Sequence, residues 1–158
     1  MVSVTTGDGS CSAQRLILEP ETGTELTVTS LNRSQGHPSY AGRLEILDTE
    51  EGLVLVNELP LEDYLKKVVP SEMPASYEKE ALKAQAVCAR TYAYMQMKSN
   101  SYRSYGAQID DSTQFQVYNN VETDAKTTQA VQETYGKMLY YDGNPVTAYY
   151  FSTSCGTT

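Results

Sequence analysis

Several residue types are scarce in this 158-residue chain, and each scarcity excludes a class of protein. Tryptophan is absent, phenylalanine occurs twice, and His37 is the one histidine. No histidine lies near Ser152 or Ser154 in the sequence, so a serine–histidine triad is not expected. Basic residues number twelve against twenty acidic ones, which gives a net charge of −8. That balance argues against nucleic acid or an anionic membrane as the main partner.

Cysteine is also scarce, with three residues and no CxxC pair. This pattern matches neither a disulfide scaffold nor a zinc cage. Cys88 lies among alanine and valine in a helical stretch, which is typical of a small core residue. A pairing of Cys11 with Cys155 stays open, because the sequence does not show it.

Long apolar runs are missing as well, and the first residues are polar, so neither a signal peptide nor a membrane span is predicted. What is present is enough length for one domain with a real core and thirteen tyrosines. Most of these tyrosines are expected to be half-buried strand residues, although tyrosine-rich surfaces also suit carbohydrate contact. We expect residues 1–12 to be a loose tail and residues 13–158 to form the domain.

The first half of the domain has short runs typical of strands. They cover Arg15–Leu18, Leu26–Leu31, Gly42–Leu47 and Leu53–Asn57. The third run alternates Leu44 and Ile46 with Arg43 and Glu45, and Glu50–Gly52 is typical of a turn before the fourth. The pattern predicts a small antiparallel unit that acts as a scaffold for the rest of the domain.

Three helices are predicted after these strands. The first covers Leu59–Val69, with an apolar face formed by Leu61, Tyr64, Leu65 and Val68, and it is expected to end at Pro70. The second is a long helix from Tyr77, with Ser76 as its N-cap. The third covers Thr123–Thr134, with Thr123 as its cap.

Glu72 lies between Pro70 and Pro74, and each proline fixes its own φ and disfavours helix at the preceding residue. We therefore expect Glu72 on a stiff loop. Further along, Ser99–Asp111 is predicted to be a loop. Met138–Tyr141 and Val146–Ser152 flank the turn sequence Asp142–Pro145 and predict a C-terminal hairpin. Together these elements predict an α+β fold with an antiparallel sheet unit, a long central helix, two shorter helices and this hairpin.

The order of these motifs resembles the sporulation stage II protein D family, which also includes amidase enhancers. The matching segments are Tyr64–Leu65, Ser71–Pro74, Ala81–Val87, Ala89–Ala93, Asp111–Thr113 and Gln116–Tyr118, with Tyr150, Ser152–Ser154 and Gly156 at the end. The resemblance covers residues 40–158. It implies a peptidoglycan lytic transglycosylase that faces the cell wall, with the export segment and the C-terminal part of the domain lying outside this sequence.

Lytic transglycosylation requires one well-placed carboxyl group. A general acid protonates the glycosidic oxygen, and the resulting carboxylate takes the proton from the C6 hydroxyl that closes on C1. No water and no second carboxylate take part, in contrast to glycoside hydrolysis. By resemblance Glu72 is the catalytic residue, and the alternative for it is a solvated loop acid. An acid catalyst benefits from a raised pKa, so we expect Met73 and tyrosines to desolvate Glu72.

The resemblance also implies substrate-binding residues, each with a structural alternative. Lys83 and Arg90 lie seven residues apart on one helix face. The alternative for Lys83 is an exposed basic residue, and the alternative for Arg90 is a structural pair with an acid such as Asp111. The remaining substrate-binding candidates are Asp111, Gln116, Tyr118, Tyr150, Ser152 and Ser154. A polar edge strand is the alternative for the first three, and a solvated strand face is the alternative for the last three.

The chain departs from the family pattern at a few positions. Some relatives bind zinc through His-Cys just before the Gln-Val-Tyr motif, but Gln114 and Phe115 stand there, so no metal and no other cofactor is expected. Relatives often carry His at Phe151 and Gly at Cys155. The expected partners are peptidoglycan strands, and cell-wall amidases or membrane-anchored proteins in addition. The alternatives to an enzyme are a non-catalytic wall-binding or amidase-stimulating module and a fragment that needs its missing part to fold.

Overall fold

The computed structural model describes residues 1–33 and 35–151. Contacts between Cα atoms divide them into two compact units. The first unit contains residues 1–60 and 100–108, and the second contains residues 61–99 and those from 109 onward. The single-domain boundary at residue 13 stays a prediction.

The first unit begins with a hairpin in which β1 (Val2–Thr6) pairs antiparallel with β2 (Gly9–Ala13). The prediction of a loose tail over residues 1–12 is therefore wrong. The prediction rested on polar composition, but four of the five residues of β1 are valine or threonine, which are β-branched and favour a pleated strand. The pairing of Thr6 with Gly9 leaves a two-residue turn, and Val2 is buried.

The larger sheet of the first unit has three antiparallel strands in the order β3–β6–β7. A separate two-stranded ribbon pairs β4 with β5. The predicted strand over residues 26–31 is thus wrong beyond Thr27, whereas the other three runs are confirmed as strands. The strands are β3 (Arg15–Leu18), β4 (Leu26–Thr27), β5 (Ser39–Tyr40), β6 (Arg43–Thr49) and β7 (Gly52–Glu58).

Charged residues interrupt the simple alternation expected along β6. Leu44 is buried as predicted, but Glu45 is also buried, with 3% of its surface exposed. Arg15 donates to the Glu45 carboxylate, and Arg43 lies 3.3 Å from its second oxygen. A carboxylate can be buried when cations replace its water. The two arginines therefore explain why Glu45 departs from the pattern.

The second unit contains α1 (Leu61–Glu72), α2 (Lys79–Gln96) and α3 (Ala125–Glu133). Helix α2 packs on both α1 and α3. The core of the second unit contains apolar side chains of all three helices, namely Leu65, Val68, Val69, Leu82, Ala86, Ala89, Ala130 and Val131. The expected apolar face of the first helix is confirmed at Leu65 and Val68.

The first helix continues through Pro70, so the prediction that Glu72 lies on a loop is wrong. Proline removes a single backbone donor, and the helix tolerates this loss near its end. The Met73 amide still donates to the Val69 carbonyl at 2.9 Å, and the Ser71 hydroxyl donates to the Lys67 carbonyl at 2.6 Å. The helix stops at Glu72, two residues before Pro74.

Two helix starts also differ from the sequence expectations. The N-cap of α2 is Glu78, without a side-chain capping bond, rather than Ser76. The N-cap of α3 is Asp124 rather than Thr123, and its carboxylate accepts the amides of Lys126 and Thr127. Asp and Thr are both good caps, so composition did not decide between adjacent candidates.

The C-terminal hairpin is confirmed, but it is short. Strands β8 (Tyr140–Tyr141) and β9 (Asn144–Pro145) flank Asp142 and Gly143, which both have positive φ. Residues 147–151 form no strand, so the predicted strand over 146–152 is wrong in its described part. The α+β class is confirmed by three helices and several small antiparallel sheets. None of the helices within residues 1–33 and 35–151 is long and apolar enough to span a membrane.

Gly42 is expected to be essential for the first unit. Its φ is +73°, and a Cβ at this position would lie 2.5 Å from the Glu58 carbonyl oxygen. Gly42→Ala should lower the free energy of unfolding by about 1–3 kcal/mol or more, because backbone strain and a clash add together. Urea denaturation measures this change.

Gly23 provides the matched control. It has φ +83° but open space around its Cβ position. Gly23→Ala should therefore cost less than Gly42→Ala, and equal losses would contradict the assignment of a clash at Gly42.

Candidate functional site

Glu72 is half-buried at the C-terminal end of α1. Its Oε1 atom accepts the Val117 amide at 2.7 Å and the Tyr150 hydroxyl at 3.3 Å. Within residues 1–33 and 35–151, no hydrogen-bond donor reaches Oε2. One carboxylate oxygen thus has two donors, and the other has none among these residues.

The segment that contains Val117 lies against the last turns of α1. The Asn119 amide donates to Ser71 Oγ at 3.1 Å, and Lys67 Nζ donates to Asn120 Oδ1 at 2.8 Å. Asn120 has φ +53°, a conformation that asparagine adopts more readily than most residues. These contacts hold the Val117 amide in register with the Glu72 carboxylate.

Gln116 joins Tyr150, the hydrogen-bond partner of Glu72, to a second tyrosine, Tyr64. It is fully buried, and its Nε2 donates to the Tyr150 hydroxyl oxygen at 3.0 Å and to the Ala89 carbonyl at 3.1 Å. Its Oε1 accepts the Tyr64 hydroxyl at 3.2 Å. The amide therefore finds partners for both its nitrogen and its oxygen within the protein. The substrate-binding role of Gln116 stays a prediction.

Tyrosine rings surround this chain of hydrogen bonds. Tyr64 stacks on Tyr118 with ring centroids 5.5 Å apart and an interplanar angle of 4°. Tyr92 meets Tyr150 and Tyr149 edge to face, at 6.5 and 5.9 Å. Tyr149 is 78% exposed. Tyr92 lies between it and Tyr150, the tyrosine that contacts Glu72. The tyrosines expected beside Glu72 are thus represented by Tyr150, which contacts it through its hydroxyl.

Burial raises the pKa of Tyr64 well above its ordinary value of 10.0, and the nearby Tyr150, Tyr118 and Glu72 raise it further. Burial likewise raises the pKa of Tyr150, against the opposing effect of the Gln116 hydrogen bond. Both phenols therefore keep their protons throughout the neutral range. They act as hydrogen-bond donors rather than as bases.

Residues 1–33 and 35–151 contain no group of three His, Cys, Asp or Glu side chains close enough to hold a metal ion. Cys11 and Cys88 carry free thiols, and burial raises the pKa of the Cys88 thiol. Cys155, Ser152 and Ser154 lie outside the described residues, so the predictions for them stay predictions.

Comparison with known sequences identifies the family to which this geometry belongs. A sequence profile of the family described as Stage II sporulation protein matches residues 49–141, which is more than half of the chain. The chain belongs to the Stage II sporulation protein family.

Three relatives illustrate the similarity. Stage II sporulation protein D of Bacillus subtilis is 44% identical over 117 residues, which are 65% of this chain and 34% of that protein. The amidase enhancer of the same organism is 46% identical over 94 residues, or 60% of this chain and 12% of that protein. An uncharacterized protein of Brachyspira hyodysenteriae is 42% identical over 118 residues, which are 74% of this chain and 32% of that protein. The chain thus spans about a third or less of the length of these relatives.

In this family member, Lys83 forms ion pairs with Glu80 at 2.8 Å and with Glu133 at 3.6 Å. The Glu80 hydrogen bond raises the pKa of Lys83, with a smaller contribution from Glu133. These contacts link α2 to the end of α3. The substrate-binding role of Lys83 stays a prediction.

Arg90 joins the three helices of this family member. It is 1% exposed, and its guanidinium meets both Glu62 oxygens at 2.7 and 2.8 Å. It also donates to the Val131 carbonyl at 3.1 Å and the Lys137 carbonyl at 3.2 Å. The acid that pairs with Arg90 is Glu62 and not Asp111. Such a buried fork position is typical of a structural arginine.

Asp111 is exposed, and its carbonyl accepts the Tyr118 amide at 3.4 Å. Tyr118 is buried against Tyr64 and not on a polar edge strand, since residues 112–120 form no strand. Local spacing did not reveal the contributions of the Tyr64 hydroxyl, Tyr92 and the Val117 amide. All three residues lie in segments that match the family, and that match was the signal that could have pointed to them.

Arg90→Ala should destabilise the protein by about 3–5 kcal/mol, because it leaves the partly buried Glu62 carboxylate without its partner. Urea denaturation measures the change. Lys83→Ala serves as the control, since its ion pairs are more exposed and its removal should matter much less. A small effect of Arg90→Ala would contradict the structural role.

Tyr64 should make stability depend on alkaline pH. In the unfolded chain tyrosine loses its proton near pH 10, whereas in the folded protein Tyr64 keeps it. The unfolded state then binds fewer protons, so the free energy of unfolding falls as pH rises above about 10 and is unaffected by this group below that pH. Tyr64→Phe should reduce the alkaline slope in urea titrations. Thr127→Val, which removes a buried hydroxyl that does not ionise in this range, should leave the slope unchanged.

Proposed function

We propose that this chain cleaves peptidoglycan glycan strands without water, as a lytic transglycosylase, with Glu72 as general acid and then base. The observation that supports this proposal is the asymmetric environment of the carboxyl group. Oε1 is held by Val117 and Tyr150, while Oε2 has no donor among residues 1–33 and 35–151. A reaction that needs one carboxyl group is consistent with one anchored and one available oxygen.

In the proposed first step, protonated Glu72 gives its proton to the glycosidic oxygen as the bond from that oxygen to C1 of the muramyl residue breaks. The carboxylate then removes the proton of the C6 hydroxyl on the same sugar. The C6 oxygen forms the new bond to C1, which leaves a 1,6-anhydromuramyl end. The proton that leaves Glu72 in the first half is replaced in the second, so the enzyme is unchanged.

The proposal carries the family expectations for place and partners. The substrate would be the glycan strand of peptidoglycan, and the protein would work outside the cytoplasm, on the cell wall. A net charge of −8 suits a partner other than a polyanion. The exposed ring of Tyr149 would suit stacking against a sugar face.

A second candidate function is supported by the name of one relative, the amidase enhancer of Bacillus subtilis. In this alternative the chain binds the wall or a cell-wall amidase and stimulates the amidase without cutting glycan strands. The exposed ring of Tyr149 would then serve for binding, and Glu72 would hold the Val117 segment in place.

Glu72→Gln separates the two functions. It keeps the shape of the side chain but cannot carry the proton, so formation of anhydromuramyl ends should fall by about 100- to 10,000-fold. Mass spectrometry of digested glycan strands measures these ends.

Glu78→Gln, at the exposed N-cap of α2, is the matched control and should retain activity. Anhydromuramyl ends that persist in Glu72→Gln would contradict the catalytic proposal. Stimulation of an amidase by a parent protein that forms no such ends would support the alternative.

A further inference from the structure

The hydrogen bonds around Gln116 have a definite direction. The Ala89 carbonyl can only accept, so the amide atom 3.1 Å from it must be the nitrogen Nε2. The opposite atom, Oε1, then faces Tyr64 and accepts its hydroxyl proton at 3.2 Å. A reversed amide would place two acceptors against each other at Ala89.

This orientation determines the direction of the next bond as well. The second proton of Nε2 points at the Tyr150 oxygen at 3.0 Å, so that oxygen acts as an acceptor towards Gln116. The single proton of the Tyr150 hydroxyl is then free for Glu72 Oε1, which lies 3.3 Å away. The chain of donors therefore runs from Gln116 through Tyr150 to Glu72.

We propose that Gln116 is a positioning residue, which orients the Tyr150 hydroxyl as a donor to Glu72 Oε1 and thereby directs Oε2 towards the substrate. This inference rests on the proposed function. Gln116 is fully buried and its amide is occupied by Tyr64, Ala89 and Tyr150. The proposed positioning role therefore replaces the expectation that Gln116 contacts the sugar directly.

Gln116→Glu tests the direction of the chain with almost no change in shape. A carboxyl group at residue 116 has at most one proton, which the Ala89 carbonyl needs, so its oxygen accepts from the Tyr150 hydroxyl and turns that proton away from Glu72. Loss of one hydrogen bond to a charged group should lower kcat for anhydromuramyl formation by about 10- to 100-fold. KM should stay within about twofold, because no substrate contact is removed.

A double-mutant comparison distinguishes positioning from a purely structural role. If Gln116 acts through Tyr150, then adding Gln116→Glu to Tyr150→Phe should lower kcat little further, because the hydroxyl to be oriented is already gone. Thr127→Val is the matched control for loss of a buried polar group in the same unit and should retain kcat. Should Gln116→Glu fail to fold, Gln116→Met fills a similar volume and removes the donor to the Tyr150 oxygen, so the hydroxyl is no longer oriented and kcat should again fall.

Two results would overturn the inference: unchanged kcat in the folded Gln116 variant, or losses at Gln116 and Tyr150 that multiply. A raised KM with normal kcat would also overturn it and return Gln116 to substrate binding. Failure of the proposed function is a separate result, in which the parent protein forms no anhydromuramyl ends or Glu72→Gln still forms them. The inference alone fails when Glu72→Gln is inactive and the Gln116 variant is as fast as the parent.

Discussion

The hydrogen bond from the Val117 amide to Glu72 Oε1 joins two segments that lie 45 residues apart in the chain. One segment is the end of α1, and the other is a stretch that forms neither a helix nor a strand. A backbone amide in such a stretch needs a partner, and a carboxylate at a helix end needs a donor. Each therefore satisfies the other, and the Asn119 bond to Ser71 supports the same contact at the neighbouring residue of α1.

The buried polar groups around this bond are mostly tyrosine hydroxyls and one amide. Such groups cost free energy unless each finds a partner, and a network in which every member is satisfied becomes rigid. Tyr64, Gln116 and Tyr150 meet this condition with one another and with Glu72. Arg90 meets it separately through Glu62 and helix carbonyls, which stabilises the packing of the three helices. The site thus depends on two polar networks, one catalytic in the proposal and one structural.

Predictions from sequence succeeded where local physics decides. The Asp142–Gly143 turn needs two residues with positive φ, and the chain has residues there that tolerate it. The apolar face of α1 follows from helical periodicity, which is a local property. Pro70 shows the limit of such rules, because one lost donor near a helix end is outweighed by the burial of Val68 and Val69 beside it. Residues 2–13 show the reverse error, in which a polar composition concealed β-branched residues that form a hairpin.

The α+β class, the family and the choice of Glu72 as a candidate could all be derived from the amino-acid sequence, because they follow from periodicity and from motifs that are contiguous in the chain. The burial of Gln116, the pairing of Arg90 with Glu62 and the bond from Tyr150 to Glu72 became known from the three-dimensional packing alone. The last two contacts join residues 28 and 78 positions apart. The direction of a hydrogen bond depends on which acceptor lies opposite, and a linear sequence does not contain that information.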